Sequence, residues 1–411
     1  MTIRVLAVAD SDSYLKWACA TLDQIGAPED EGLARSAVLV HTPIVPTTNQ
    51  IAAAVAGSSV VRPPVLSLRE LRARVRATRP DIVLVAATGP VAEMVARIVV
   101  RADPANRPVL LSGLPGMALP ATSRGTAWRR WCDAFVVHSR HEIAAYRDAF
   151  GEQGVAPRII LTHLPFLERL TAIPVRPAER VVFAAQAKVP ESREDRVRLL
   201  DGLARLTDEG FEVIVKLRAR QGERQTHNEL HPYDELWDTE HAKLGHRSDT
   251  VRFVDGPMAE WLQPGTALVT VSSTAALESL ALHLQTAIID DFGLSTELLN
   301  EPFTGSGFVL SLADAGKAFR ENGPVPDAAW LDDNYLHSTE SELPSAVADL
   351  AALRAAGGLR PLTDIEPVFR RRHLRVVAQS VLPPPVYGTL AAAGRPVKRA
   401  LDRVTGATRN R

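Results

Sequence analysis

Three consecutive hydroxyl side chains, followed four residues after the last by a carboxylate, form the segment of this chain best suited to chemistry: Ser272-Ser273-Thr274-Ala275-Ala276-Leu277-Glu278. Leu277, Leu280, Ala281 and Leu284 recur at helical spacing, so the hydroxyls are expected where a helix begins. A helix start offers backbone N–H groups and the positive end of the helix dipole, and hydroxyls placed there can complete the coordination of a phosphate. Glu278 falls on the same face as Thr274, one turn along, where it can accept hydrogen bonds from a ribose. A plainer arrangement of these residues has Ser273 capping the helix and Glu278 in solvent.

Other residues could serve the same ligand. Lys216 and Arg218 end the apolar run Phe211-Glu212-Val213-Ile214-Val215. Cations at the end of a buried strand need a counter-charge, which a diphosphate or a carboxylate such as Glu223 can supply. His227 and His231 lack a third ligand at matching spacing, so no metal is expected, and one of them could touch a base or a phosphate. Gln186-Ala187-Lys188 follows another strand-like run; Gln186 and Lys188 would border the same site or belong to an ordinary connection.

The amino-terminal half offers a different inventory. Asp10-Ser11-Asp12-Ser13 follows the first apolar run, so Asp12 or Asp10 could deprotonate an acceptor hydroxyl, while Asp12 or Ser13 could equally cap a helix. Thr88-Gly89-Pro90 and Leu111-Ser112-Gly113-Leu114-Pro115-Gly116 contain glycines, Gly89 and Gly113 among them, that would let backbone approach a ligand closely. His41 and His138 sit at strand ends, either facing the site or satisfied within the structure. No Gly-x-Gly-x-x-Gly follows the first strand and no Gly-x-x-x-x-Gly-Lys-Ser/Thr occurs, which disfavours nicotinamide enzymes and Walker-type nucleotidases.

The elements that must position these residues alternate between short apolar runs and amphipathic stretches, the pattern of a parallel sheet covered by helices. Strands are expected near Val5 to Ala9, Ala37 to Val40, Ile82 to Ala86, Val109 to Leu111, Ala134 to Val137 and Ile159 to Leu161. Two prolines break the pattern at Thr171-Ala172-Ile173-Pro174-Val175-Arg176-Pro177. It restarts with Val181 to Ala185, a helix from Ser192 to Leu206, then Val213 to Leu217, Val251 to Val254, Leu268 to Val271, a helix from Thr274, and Thr286 to Ile289. The expectation is an α/β protein of two Rossmann-like, doubly wound domains facing a cleft. Residues 1–170 form the acceptor side and 178–326 the donor-binding side, and a helical segment, 327–411, packs back on both. Leu343 to Ala355 and Ile365 to Leu382 are its clearest amphipathic stretches.

Bulk properties agree. A chain of 411 residues with 46% hydrophobic and 23% charged residues suits two globular domains. A formal net charge of -1 excludes whole-surface nucleic-acid binding, which needs a dense positive field. Cys19 and Cys132 indicate neither a disulfide framework nor a zinc site. The first apolar run is too short for a signal peptide, so a cytoplasmic location is expected, with peripheral membrane attachment through the basic stretch Arg370 to Arg411 as an alternative to a solvated tail.

Ser272 to Leu282 is similar to the S-S-T-x-x-x-E-A-L-x-x-G-x-P element of GT-B glycosyltransferases, especially bacterial ones that build capsule and other surface polysaccharides. Leu284-Gln285 stands where that family usually has a small residue and a proline. Val215-Lys216-Leu217-Arg218 resembles the family's strand with a phosphate-facing Lys. His231-Pro232 resembles the His-Pro pair of sialyltransferase and Kdo-transferase relatives, in which Lys and His-Pro lie nearly adjacent; here Arg218 to Leu230 separate them, and His227 competes for the role. The resemblance implies a metal-independent glycosyltransferase with no cofactor, a nucleotide-sugar as donor and a glycan or lipid-linked acceptor. An epimerase, a polyol-phosphate transferase on the same fold and a non-catalytic two-domain metabolite-binding protein are the competing readings.

Overall fold

The computed structural model describes residues 2–26, 31–42, 45–168, 170–217, 229–362 and 365. Thirteen strands occur among them: β1 (Ile3–Ala9), β2 (Leu33–Val40), β3 (Val65–Leu66), β4 (Ile82–Ala86), β5 (Val109–Gly113), β6 (Ala134–Val137), β7 (Arg158–Leu161), β8 (Arg180–Ala184), β9 (Glu212–Lys216), β10 (Arg252–Val254), β11 (Thr266–Thr270), β12 (Gln285–Ile289) and β13 (Val309–Leu310). They form two parallel sheets, ordered β3-β2-β1-β4-β5-β6-β7 and β10-β9-β8-β11-β12-β13. In each, the order reverses beside the first strand of the set, which is the doubly wound arrangement expected.

The described chain forms two compact units. One holds the described residues up to Gly113, Trp128–Ala134 and the described residues from Ser345 onward; the other holds Leu114–Ala127 and the described residues of 135–344.

Burial on both faces explains why the strands read as continuous apolar runs. In the six-stranded sheet Val181, Phe183, Val213, Val215, Val269 and Ala287 enter one buried cluster, while Val182, Ala184, Ile214, Leu268 and Ile288 enter another. Successive residues point to opposite faces, and each face is covered. In the first unit Leu6, Val8, Val38, Val40, Val83 and Val85 share a core with the helix Gly89–Ala102, which contributes Val91, Val95 and Val99.

The expected elements lie within a few residues of those observed. The helix read from Ser192 runs over Arg193–Arg205, with the Ser192 side chain accepting from the Asp195 N–H. No helix or strand occupies 171–177, and Leu343–Ala355 is helical. The two edge strands β3 and β13 were not anticipated, since each is two residues long. Of the stretch Ile365 to Leu382 only Ile365 is described, and Arg370 to Arg411 lie outside the described residues. Among the described residues no helix is long and apolar enough to cross a membrane. Cys19 and Cys132 are both buried free thiols.

Candidate functional site

The carboxyl ends of β8, β9 and β11 frame a cavity of about 420 Å³ within the second unit, lined by Gln186, Lys216, Ser272, Ser273, Thr274 and Glu278 together with Pro115, Met117 and Leu119. Residues separated by more than 90 positions thus converge on one space. Strand register brings two of them together: Lys216 lies beside Ala184 at the ends of β9 and β8, and the Ala185 N–H donates to the Lys216 carbonyl at 3.1 Å. β11 is buried throughout, and so are Val271 and Ser272 after it, so the chain first emerges from the core at Ser273.

The hydroxyl run is tied to its surroundings. The Gln186 side-chain oxygen accepts from the Ser272 N–H at 3.1 Å and from the Ser272 hydroxyl at 3.0 Å. The Thr270 hydroxyl donates to the Ala184 carbonyl at 3.0 Å and accepts from the Ser273 N–H at 3.2 Å. Ser273 Oγ accepts from the Ala275 N–H at 3.2 Å, and the Ser273 carbonyl accepts from the Ala276 N–H at 3.0 Å. The expectation of several free amides at this helix start is therefore corrected, because the turn satisfies most of them internally. Among the described residues of this turn the exception is Thr274, whose N–H and hydroxyl have no hydrogen-bond partner and which lines the cavity. The helix it precedes is short, Ala275–Ala281. Glu278, half-buried one turn further, shares the cavity with Lys216.

Several other expected positions fall elsewhere. Lys188 is exposed and not among the residues lining the cavity. His231 is half-buried and contributes its carbonyl, which accepts from Arg196 Nη1 at 2.7 Å. Arg218 and His227 lie outside the described residues. His138 is fully buried: its Nδ1 lies 3.3 Å from the Thr162 carbonyl, and burial pulls its pKa down to about 4, which keeps the ring neutral. It is a core histidine. His41 is exposed just past β2, its N–H bonded to the Leu66 carbonyl.

The two glycine turns also read differently in three dimensions. A Cβ on Gly89 would lie 1.6 Å from the Trp128 ring, so this glycine makes room for an indole rather than for a ligand. Gly113 is the buried last residue of β5 and lacks a positive φ; in that loop Gly116 has φ +80 and approaches the Thr274 methyl.

In the first unit the two aspartates after β1 separate into different roles. Asp10 is fully buried; its carboxylate accepts from the Thr88 N–H at 3.2 and 3.1 Å and from the Thr88 hydroxyl at 2.5 Å. Burial pushes its pKa up to about 6 against the opposing pull of those hydrogen bonds and of the Arg129 charge. Arg129, itself buried, donates to the Ala87 carbonyl at 2.8 Å and to the Tyr14 hydroxyl at 3.1 Å. Asp12 is the half-buried first residue of the helix Asp12–Ile25, after Ser11 as the cap position, and accepts from the Ser13 hydroxyl at 3.4 Å.

Arg196, one of the most buried charged residues, is not foreseeable from sequence, because an arginine in the polar-looking run Ser192-Arg193-Glu194-Asp195-Arg196 carries no mark of burial. The loop Leu111 to Gly116 is singled out in the sequence for its glycines, yet it reaches the cavity through Pro115, which with Met117 and Leu119 forms an apolar wall about 150 residues from the motif it faces. Among the described residues no cluster of three His, Cys, Asp or Glu side chains could hold a metal ion.

A family model described as "Putative glycosyltransferase (DUF6716)" matches residues 5–350. The chain belongs to that family. No curated protein matches its sequence. Among solved structures it is similar to a "putative UDP-N-acetylglucosamine 2-epimerase from Listeria monocytogenes", with TM-score 0.54 and 11% identity over 92% of this chain and 96% of the other. It is also similar to another UDP-N-acetylglucosamine 2-epimerase, with TM-score 0.55 and 12% identity over 87% and 97%. A third is the S. aureus MnaA-UDP co-structure, with TM-score 0.53 and 9% identity over 87% and 98%. At these identities the likeness establishes a shared GT-B-like fold of two Rossmann-like units and leaves the chemistry to the site.

Proposed function

We propose that this member of the glycosyltransferase family moves a sugar from a nucleotide-sugar to a hydroxyl of a glycan or lipid-linked acceptor in cell-surface polysaccharide synthesis. The observation that carries the reading is the cavity in which Lys216, Thr274 and Glu278 meet at the strand ends. Lys216 supplies a positive charge, and Thr274 supplies an N–H and a hydroxyl free to bind phosphate oxygens. Glu278 supplies acceptor oxygens for ribose hydroxyls. In the transfer the acceptor oxygen bonds to the anomeric carbon as the bond from that carbon to the phosphate oxygen breaks. Negative charge gathers on the departing nucleotide, and preorganised donors there lower the barrier without a metal.

The base that removes the acceptor proton is assigned in this reading to Asp12. It is the less buried of the two aspartates after β1, whereas both Asp10 oxygens are committed to Thr88. Uridine diphosphate is the first nucleotide to test, because the MnaA neighbour of this fold was solved with UDP. The same fold in two 2-epimerases keeps epimerisation as the second reading.

Product analysis separates the two. The purified protein is incubated with a panel of nucleotide-sugars, with and without a lipid-linked glycan fraction. Nucleoside diphosphate released only when acceptor is present supports transfer. Conversion of the donor sugar to its epimer without acceptor replaces the transfer reading with epimerisation, and no change in any donor refutes both.

A further inference from the structure

Arg196 is buried to 1% exposure in the second unit, and its guanidinium N–H groups converge on the loop 186–190, whose Gln186 lines the cavity, and on residues 229 and 231. Nε donates to the Pro190 carbonyl at 2.8 Å; Nη2 donates to the Gln186 and Ala187 carbonyls at 3.1 and 2.7 Å. Nη1 donates to the His231 carbonyl at 2.7 Å and to the Glu229 carboxylate. The guanidinium lies 4.5 Å from the centre of the Tyr233 ring, which packs edge-on against Phe183 of β8.

Four of these five acceptors are backbone carbonyls of two segments far apart in sequence, 186–190 and 231. A buried charge whose only purpose was stability would be poorly chosen, since apolar side chains of similar volume often hold a core as well or better. A guanidinium differs from other buried groups in fixing several acceptors in one plane at set angles. Here it holds the backbone of Gln186, and the Gln186 side chain in turn holds both the N–H and the hydroxyl of Ser272.

The geometry points to Arg196 as the positioning residue of the donor site, acting through Gln186 to set the Ser272-Ser273-Thr274 turn for a nucleoside diphosphate. It touches no ligand itself. The inference rests on the donor-site reading above and adds a residue that no motif identifies. Lysine in its place keeps the charge and the stem but has three donors in a different geometry, so the carbonyls of Gln186 and Ala187 lose their anchor.

The test is a double-mutant cycle on the full chain with Arg196→Lys, Gln186→Ala and both together, reading the Kd for uridine, cytidine, guanosine and adenosine diphosphates by calorimetry. Hydrogen exchange of the backbone is followed in parallel. Arg196→Lys is expected to weaken the best-bound nucleotide about tenfold and to speed exchange in 186–190 and 272–274. In the Gln186→Ala background its effect on Kd should shrink to less than about twofold, because neighbours acting through one another are not additive. Full additivity overturns the inference, as does wild-type affinity in Arg196→Lys. If Arg196→Lys does not fold, Glu229→Gln, which leaves the guanidinium in place but removes its carboxylate partner, serves instead. Faster exchange at 186–190 and 272–274 is then expected, and unchanged exchange there overturns the inference. If the wild-type protein binds none of the four nucleotides, the donor-site reading fails, while the exchange of 272–274 in Arg196→Lys still decides whether Arg196 positions that turn.

Discussion

The side-chain oxygen of Gln186 accepts two hydrogen bonds from Ser272, one from its N–H at 3.1 Å and one from its hydroxyl at 3.0 Å, linking the loop after β8 to the turn after β11. One residue therefore sets the height of the hydroxyl run against the end of its neighbouring strand. Each such bond contributes about 0.5–1.5 kcal/mol net. Gln186→Ala is expected to leave the melting temperature within a few degrees of wild type and to weaken nucleotide binding about tenfold, the equivalent of about 1.4 kcal/mol. Unchanged affinity would show that Ser272 does not need this support.

Asp10 makes stability depend on pH in a direction opposite to most carboxylates. Its folded pKa is about 6, above the ordinary 3.8. Between those values the folded protein keeps a proton that the unfolded chain releases, so this group favours the fold in acid and opposes it increasingly as pH rises from about 4 to about 6. The full effect is about 3 kcal/mol. Asp10→Asn cannot titrate and should gain stability relative to wild type over that interval, read as a difference in melting temperature that widens from pH 4 to pH 7. A difference that stays constant with pH contradicts the assignment.

Gly89 opens the helix Gly89–Ala102 with the Trp128 ring where a side chain would be. Helix propensity alone predicts that Gly89→Ala stabilises by up to about 1 kcal/mol. The clash at 1.6 Å predicts the opposite, a loss of about 1–3 kcal/mol as the indole is displaced. Denaturant unfolding gives the sign, and the near-ultraviolet circular dichroism of tryptophan should change with it.

Arg107 and Asp133 form a two-pronged pair at 2.7 and 2.9 Å, each side chain only 7% exposed, and Asp133 also accepts from the Leu110 N–H of β5 at 2.9 Å. Removing the arginine leaves a buried carboxylate without its counter-charge. Arg107→Met is expected to cost about 3–5 kcal/mol, while a paired replacement that also removes the carboxylate should cost much less. Equal losses in the single and double variants would contradict this.

Strands buried on both faces declare themselves in sequence as unbroken apolar runs, which is why β4 and β6 were legible to the residue and most others to within a few. β3 and β13 were not legible, because two residues at a sheet edge carry no periodicity. That Lys216, Gln186, Ser272, Ser273, Thr274 and Glu278 line one cavity was readable because each lies at or shortly after the end of a strand, where an open α/β sheet binds its ligands. Which of them is available to a ligand was not readable. That depends on hydrogen bonds such as those from Ser272 to Gln186 and from Thr270 to Ala184, which join strands distant in sequence.

The same limit explains His138 and Gly89. A histidine or a glycine after a strand looks alike in sequence whether it meets a ligand or its own core. Only packing distinguishes them, and here the Thr162 carbonyl and the Trp128 ring occupy the places a ligand would have taken. Arg196 is the converse case, a charged residue in a charged run whose burial comes from loops on either side of it.

The central claim, that the cavity between Lys216 and Thr274 is a nucleotide-phosphate site, is tested most directly by calorimetric titration of uridine, cytidine, guanosine and adenosine diphosphates into the full chain without divalent metal. The account predicts saturable one-to-one binding of at least one of them, reduced at least about tenfold in Lys216→Ala, the loss of one charge-assisted contact of about 1.5–3 kcal/mol, and reduced also in Glu278→Gln. Binding at wild-type strength in both variants, or no binding of any of the four, would contradict it.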